Sequence, residues 1–429
     1  MKIAIFIDNE NILGVDCRNP EHGNPGIGGT EYCILLLAQV YKKAYPSDEV
    51  VLFATKQGML PKTDAVEIVS GPMEIGKIFK KTQADMLLIS AVYHGEPLSQ
   101  EFFKMIEANQ IKTILWGHNF YLSDFCNKIS ECSYVKANVF VGRQQYDRYV
   151  DHKVIKKSTY IYNMYPQPVY AARKENYNHA VTYIGSLVPL KGFHVLAQAW
   201  KSILAEVPDA ELNVIGSGKL YGRDSKLGRY GIADEEYERQ FMPGLTEIDG
   251  SIMPSVHFLG VLGAEKAEVV QKTCVGVVNP TGRTETFGIS ALDFESLGVP
   301  VVTIGKGGFL DTVIDKNTGL LYWKTNKLTD NVVELLKDRD KNNQYGTAGI
   351  QLSKSFEPQK IIEQWHELFE MVSQDKKPTY RVPTSFLETN LKKYRVFNRK
   401  IKNICGIEYP LSVIGVETAA RKILGRLRK

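Results

Sequence analysis

Apolar residues along this chain fall into short unbroken runs separated by stretches of helical spacing. Ile3 to Ile7 is apolar without interruption, as a strand covered on both faces must be. A glycine-rich segment follows (GNPGIGGTE, 23–31), and then EYCILLLAQVYKKAY (31–45) repeats its apolar positions every three to four residues. Further strand-like runs are EVVLFAT (49–55), ADMLLISA (84–91), KTILWGH (112–118) and NVFVGR (138–143), with helix-like segments such as 98–108 between them. Strands alternating with helices predict an α/β chain whose parallel sheet carries helices on both faces.

The stretch from Tyr160 to Ala180, rich in Tyr, Asn and Pro, reads as a connector, after which the pattern restarts. AVTYIG (180–185), ELNVIG (211–216), SVHFLG (255–260), VGVVNP (275–280) and VPVVTIG (299–305) read as strands of a second α/β half. No repeat of 20–50 residues occurs, so the halves stand in tandem. Residues 216–255 form a long glycine-rich polar excursion between two strands, a length usually reserved for functional or partly ordered insertions.

Composition narrows the class. With 44% hydrophobic and 24% charged residues, the 429-residue chain is that of a globular enzyme-sized protein of two or three domains. Cys17, Cys33, Cys126, Cys132, Cys274 and Cys405 show neither a disulfide framework nor zinc spacing and read as free thiols. The apolar run at the N-terminus is too short for a signal peptide, and no run of about 18 apolar residues occurs. The expected location is cytoplasmic, with attachment to the inner face of the cell membrane open to the tail. The net charge of +5 hides an asymmetry: residues 375–429 hold 14 Lys+Arg against 4 Asp+Glu, leaving the rest acidic.

Candidate chemistry lies where strands run into helices, since ligands of open α/β sheets collect at the carboxyl ends of strands. Gly26, Gly28 and Gly29 precede the first helix, where bare backbone can approach a phosphate; a plain flexible turn reads equally well. Lys191 in GSLVPLKG (185–192) stands just before another helix, as a phosphate partner or an exposed helix-start lysine. In NPTGRTETFGISALDFESLGVPVV (279–302), Glu285 precedes a helix and Asp293 lies about two turns inside it, roughly 10 Å along the axis. That separation suits the two ends of an extended ligand better than a shared proton, although a solvated helix face has the same spacing. Backbone donors at Phe287, Gly288 and Ile289 would face whatever sits over the helix start.

These segments, in this order over about residues 1–372, resemble the retaining, GT-B-fold nucleotide-sugar glycosyltransferases of family four, the glycogen-synthase-like enzymes. The resemblance rests chiefly on ETFGISALDFESLGVPVV followed by GGFLDTVIDKNTGLLY. It implies two Rossmann-like domains with parallel sheets facing a central cleft: an acceptor-side domain over 1–172 and a nucleotide-sugar domain over 173–355. A helix at 356–374 would cross back to the first domain, and 375–429 would be a basic tail.

By the same resemblance Glu285 touches donor-sugar hydroxyls, Phe287 to Ile289 hold sugar and diphosphate, and Asp293 binds the ribose. Lys191 matches the diphosphate lysine, and Gly28-Gly29 the loop that closes over the phosphates. His118 matches a histidine near the transferred sugar, although bare sequence makes it a core or capping residue. Gly260 and Val261 match the cradle of the base. Two departures stand out: Asp293 replaces the family's glutamate, and Ser186 occupies the place of an arginine, whose charge Arg283 could supply.

The implied activity is metal-independent transfer of a hexose-type sugar, from a UDP-sugar by preference, with retention through front-face displacement. No cofactor is expected, because the nucleotide-sugar is a substrate. Asp338-Arg339-Asp340 reads as a charged helix end rather than a metal site. The acceptor would be a glycan or lipid-linked oligosaccharide in bacterial-type capsule, O-antigen or exopolysaccharide assembly. Other GT-B chemistry (a sugar-nucleotide epimerase or a phosphorylase) and a non-catalytic partner subunit are the alternatives.

In the tail, Val416, Ala420, Ile423, Leu424 and Leu427 share a helical face, with Arg421, Lys422, Arg426, Arg428 and Lys429 around it. That pattern over 411–429 suits an anionic membrane surface or packing onto the protein itself. Nucleic acid is not expected, because no recognition module accompanies the charge.

Overall fold

The computed structural model describes residues 1–169, 178–218, 226–379, 381, 383, 391–409 and 411–427. The chain divides into two compact units. One contains Met1–Glu21, Gly29–Met164 and Pro358–Lys429, and the other His22–Gly28 and Tyr165–Glu357. The expected boundary at 172/173 falls within 170–177, outside the described residues.

The first unit is built on strands β1 (Lys2–Ile7), β2 (Glu49–Ala54), β3 (Ala65–Ile68) and β4 (Met86–Ser90). A small hairpin of β5 (Val92–Tyr93) and β6 (Glu96–Pro97) comes next, then β7 (Thr113–Gly117), β8 (Val135–Phe140) and β9 (Ser158–Tyr160). The large sheet has the order β3-β2-β1-β4-β7-β8-β9, and every pair in it is parallel. Central strands buried on both faces need apolar side chains at every position, which is why Ile3–Ile7 and Met86–Ile89 carry no alternation. Helices α1 (Gly29–Ala44), α2 (Ile75–Thr82), α3 (Gln100–Ala108), α4 (Ser123–Glu131) and α5 (Arg143–Asp147) connect the strands. β3 and β9 lie at the two edges; short and partly polar, they give no apolar run to read from sequence.

The second unit repeats the plan with β10 (Ala180–Ile184), β11 (Glu211–Ile215), β12 (Val256–Gly260), β13 (Val275–Val277), β14 (Val301–Ile304) and β15 (Gly319–Tyr322). Their order is β12-β11-β10-β13-β14-β15, again parallel throughout. Helices α6 (Phe193–Glu206), α7 (Glu235–Phe241), α8 (Lys266–Val270), α9 (Ile289–Glu295), α10 (Phe309–Thr312), α11 (Leu328–Lys337) and α12 (Arg339–Ser353) cover it. In both sheets the order reverses beside the first strand, at β1/β4 and at β10/β13, and loops leaving two such neighbours at their carboxyl ends frame a crevice.

The long excursion is largely a packed insertion. Buried Glu238 accepts backbone N–H bonds from Tyr230, Ile232 and Ala233, while Tyr237, Phe241 and Leu245 join the core. Residues 219–225 of it lie outside the described ones.

The chain then returns to the first unit as α13 (Pro358–Ser373), α14 (Lys392–Cys405) and α15 (Val413–Leu427). On α13, Trp365 packs edge-on against Trp116, and Tyr41 Oη lies 3.0 Å from His366 Nδ1. Four cations of the tail, Lys392, Arg395, Arg399 and Lys402, are turned inward. Lys392 pairs with Asp147 at 3.0 Å, Arg395 with Asp151 at 3.3 Å, and Arg399 with Glu408 at 3.0 Å. These four serve the fold of the tail itself. Of the basic residues that sequence places at its end, the side chains of Arg426, Arg428 and Lys429, together with Leu427, lie outside the described ones. All six cysteines are free thiols, and only Cys405 is exposed.

Candidate functional site

β10 and β13 are neighbours, so the loop after each leaves the sheet at the same crevice. Lys191 comes from the first loop and Glu285 from the second, 94 positions apart in sequence, and Lys191 Nζ reaches Glu285 Oε2 at 3.0 Å. Asn279 Nδ2 donates to the same oxygen at 3.2 Å, and the Gly288 N–H donates to Oε1 at 3.1 Å. Burial pushes the Glu285 carboxyl up, but Lys191, Asn279 and Gly288 outweigh it and hold it below the usual range. The carboxylate is thus charged, fixed and still partly open to solvent.

The loop that presents Glu285 is conformationally costly. Asn279, Gly282, Thr284 and Gly288 all have positive φ within ten residues. Non-glycine residues held there cost on the order of 1–3 kcal/mol each, and such cost persists where the surroundings over-determine the backbone. The surroundings are visible: Tyr322 Oη donates to Pro280 O at 2.8 Å, and Thr281 Oγ1 bonds Asn279 Oδ1 at 3.0 Å. Gly308 donates its N–H to Glu285 O at 3.1 Å, and a Cβ at position 308 would stand 2.3 Å from Phe287 N. Only glycine lets the two loops cross so closely.

Asp293 lies inside α9, at the far end from Glu285. Its partners are Lys266 Nζ at 2.9 Å and Tyr165 Oη, which donates to Oδ1 at 3.1 Å. Both are new relative to the sequence reading. Lys266 opens α8 just after β12, the same kind of strand-to-helix junction that singled out Lys191, so the junction rule could have included it. Asn279 was legible only as part of a loop, and Tyr165 belongs to the connector. α9 therefore carries a carboxylate–lysine pair at each end.

The remaining residues separate by unit. Phe287 is buried and packs its ring 5.3 Å from Phe356, and the Gly288 N–H is committed to Glu285; Ile289 is the first residue of α9. Ser186 is buried and its carbonyl accepts from Val188 N at 3.0 Å. Arg283 is exposed, and its charge, after burial, lowers the pKa of His194. Gly260 ends β12 with φ 72°, and Val261 is exposed. The segment holding Gly28 belongs to this unit, where a Cβ on Gly26 would meet Val261 Cγ1 at 3.2 Å.

Gly29 and His118 belong to the first unit, at the start of α1 and just after β7. Burial lowers the His118 pKa to about 3 against a hydrogen bond with Asn163, so its imidazole is neutral near pH 7. The Asp338-Arg339-Asp340 segment is a helix cap: Asp338 Oδ1 accepts from Lys341 N at 3.0 Å.

Residues 178–338, which include the whole six-stranded sheet, match the family described as glycosyl transferases group 1. Over those residues the chain is similar to that family. An uncharacterized glycosyltransferase of Methanocaldococcus jannaschii, MJ1178, is 25% identical over 226 residues, covering 52% of this chain and 56% of that one. A GDP-mannose-dependent α-(1-6)-phosphatidylinositol monomannoside mannosyltransferase of Mycobacterium tuberculosis is 32% identical over 173 residues, 39% of this chain and 41% of that one. The chain thus spans about half the length of these relatives.

Beyond those residues the likeness is one of fold. The crystal structure of Anabaena Alr3699/HepE in complex with UDP and glucose superposes with TM-score 0.61 at 15% identity, covering 86% of this chain and 99% of that one. The two Rossmann-like sheets on either side of Tyr165 are those of the GT-B fold.

Proposed function

We propose that the protein is a retaining glycosyltransferase that moves a hexose-type sugar from a nucleotide-diphosphate donor, a UDP-sugar by preference, to a hydroxyl of a glycan or lipid-linked oligosaccharide in surface-polysaccharide assembly. The observation that carries this reading is the Lys191–Glu285 pair at the β10/β13 crevice, within the residues similar to group 1. As the bond from sugar to diphosphate breaks, negative charge grows on the leaving oxygens, and Lys191 together with the first N–H groups of α9 is placed to meet it. Glu285 then keeps its carboxylate for sugar hydroxyls, exchanging a lysine contact for the ligand.

Its commitment to three donors argues for a binding role rather than a nucleophilic one, which favours front-face displacement and retention. In that route the acceptor O–H attacks on the leaving-group side, its proton passes to the departing phosphate, and the nucleoside diphosphate leaves. Asp293, with Lys266 beside it, is assigned to the ribose end of the donor. Gly28 with Gly29 is assigned to the phosphates, and Gly260 with Val261 to the base. His118, neutral at working pH, is assigned to hydrogen bonding with the transferred sugar rather than to carrying charge. A lipid-linked acceptor is supported by the phosphatidylinositol monomannoside in the name of the mycobacterial relative.

The test is a panel of UDP-, GDP- and ADP-sugars, read by thermal stabilisation and by release of the nucleotide. A ligand at 100 times its Kd should stabilise the fold by about 2.7 kcal/mol. One UDP-sugar is expected to do so and to be turned over, with the product's anomeric configuration, read by NMR, equal to that of the donor. Absence of stabilisation by every nucleotide-sugar, or an inverted product, removes the reading.

A further inference from the structure

Helix α14 is amphipathic the wrong way round. In α14 the residues facing the protein are Lys392, Arg395, Asn398, Arg399 and Lys402, one stripe at helical spacing and all buried. Their donors find partners there: Asp151 by itself accepts from Arg395 Nη1 at 3.3 Å, Asn398 Nδ2 at 3.1 Å and Val413 N at 2.7 Å. Lys402 Nζ donates to Asp151 O at 2.8 Å, and Arg399 Nε to Val150 O at 2.9 Å. This buried ionic stripe fixes α14, and through Val413 the start of α15, onto the first unit.

What remains outside is apolar. Tyr394 and Phe397 on α14 are 48% and 61% exposed, and Ile404 is 85% exposed. Ile407 and Tyr409 in the following turn, and Ile423 on α15, are each more than half exposed. Exposed apolar groups in such number mark a partner site.

Charge selects the partner. The acidic residues of 391–427, Glu408 and Glu417, both turn inward: Glu408 pairs with Arg399, and Glu417 with Arg148. Among the described residues the outward charges are Lys393, Lys400, Arg421 and Lys422, all cationic, and of these Lys422 touches an acid, Asp124 at 2.6 Å. A second copy of this face would bring like charges together and be repelled. Aromatic and aliphatic groups ringed by lysine and arginine match an interface where acyl chains lie beneath anionic headgroups. At about 1.5 Å per residue the 14-residue α14 is roughly 21 Å long, too short to span a bilayer. Among the described residues no helix is long and apolar enough to cross one.

We propose that the outer faces of α14, its following turn and α15 form a preformed docking surface for an anionic lipid bilayer, with the helices lying in the headgroup plane. The proposal assigns α14 the larger apolar contact and leaves its buried cations to the fold. It stands independently of sugar transfer.

The experiment is flotation of the full chain with phosphatidylcholine vesicles, with and without phosphatidylglycerol, at low and high salt. Wild-type protein is expected to float with the anionic vesicles at low salt and to stay behind with the neutral ones. Phe397→Asp/Ile404→Asp should lower the floated fraction about tenfold with an unchanged melting temperature, since both side chains are exposed. Lys393→Glu/Lys400→Glu should lower it too and flatten its salt dependence. The proposal is overturned if wild-type protein ignores anionic vesicles, or if both variants float as the wild type does. It is overturned equally if sedimentation shows a dimer that Phe397→Asp dissociates, which would make this face a contact between copies.

Discussion

The two sheets reverse their strand order at equivalent places, yet opposite chemistry gathers there. At β10/β13 a lysine meets a carboxylate, Lys191 with Glu285, and a second such pair, Lys266 with Asp293, stands at the other end of α9. At β1/β4 the gathered groups are Asp8, Glu10 and His94, with His94 Nε2 3.0 Å from Asp8 Oδ2 and Thr55 Oγ1 donating to Asp8 Oδ1 at 3.1 Å. Glu31 lies near enough for Asp8's charge, after burial, to raise its pKa. Topology thus chooses the place of a site, and side chains choose its ligand. Fixed cations suit a diphosphate, whereas carboxylates and an imidazole suit uncharged hydroxyls.

The comparison breaks first at Lys191. If it supplies the charge that meets the leaving group, Lys191→Ala should lower kcat by roughly 10²–10³, the size of losing one preorganised donor. A loss under tenfold in steady-state transfer would move the chemistry elsewhere.

At β1/β4, Asp8→Asn and His94→Ala are expected to raise the acceptor KM about tenfold, the cost of roughly one charged hydrogen bond. Donor hydrolysis without acceptor should stay at the wild-type rate. If donor hydrolysis fell with it, the two crevices would not be separate in function.

A smaller effect separates the ends of α9. Lys266→Met should weaken donor binding by about five- to tenfold in calorimetry, since it leaves the Asp293 charge with Tyr165 alone. Asp293→Asn should weaken it less, because an amide oxygen still accepts and only the charge is lost.

The smallest effect is on pH. Folding lowers the His118 pKa to about 3 and that of His152 to about 4, both chiefly by burial. Below about 6.5 the unfolded chain binds protons that the folded chain refuses, so stability is full above that pH and falls as pH drops. His118→Gln should make that slope shallower by up to about 1.4 kcal/mol per pH unit in denaturant melts. An unchanged slope would place His118 in contact with water. Glu285 acts at lower pH: its stabilisation is complete above the ordinary carboxylate range and disappears only as pH falls through its depressed value.

Much of this could be read from the chain alone. Central strands carry continuous apolar runs because both faces are covered, so β1, β2, β4, β7, β10 and β11 stand out within a residue or two. β3 and β9 did not, because an edge strand needs no such run, and β15 is only four residues long. The spacing of Glu285 and Asp293 around a helix start was equally legible.

What spacing left out is partnership. Lys191 and Glu285 meet because two distant strands lie side by side, and Lys266 reaches Asp293 from a third. The tail shows the limit most plainly. Its sequence pointed to a basic amphipathic helix over 411–429, but α14 before it was not read, and only tertiary structure decided which face of that helix turns inward. Asp147 and Asp151 accept the cations, and a buried charge without a partner is too costly to fold around, so the cationic stripe went in and the aromatic one stayed out.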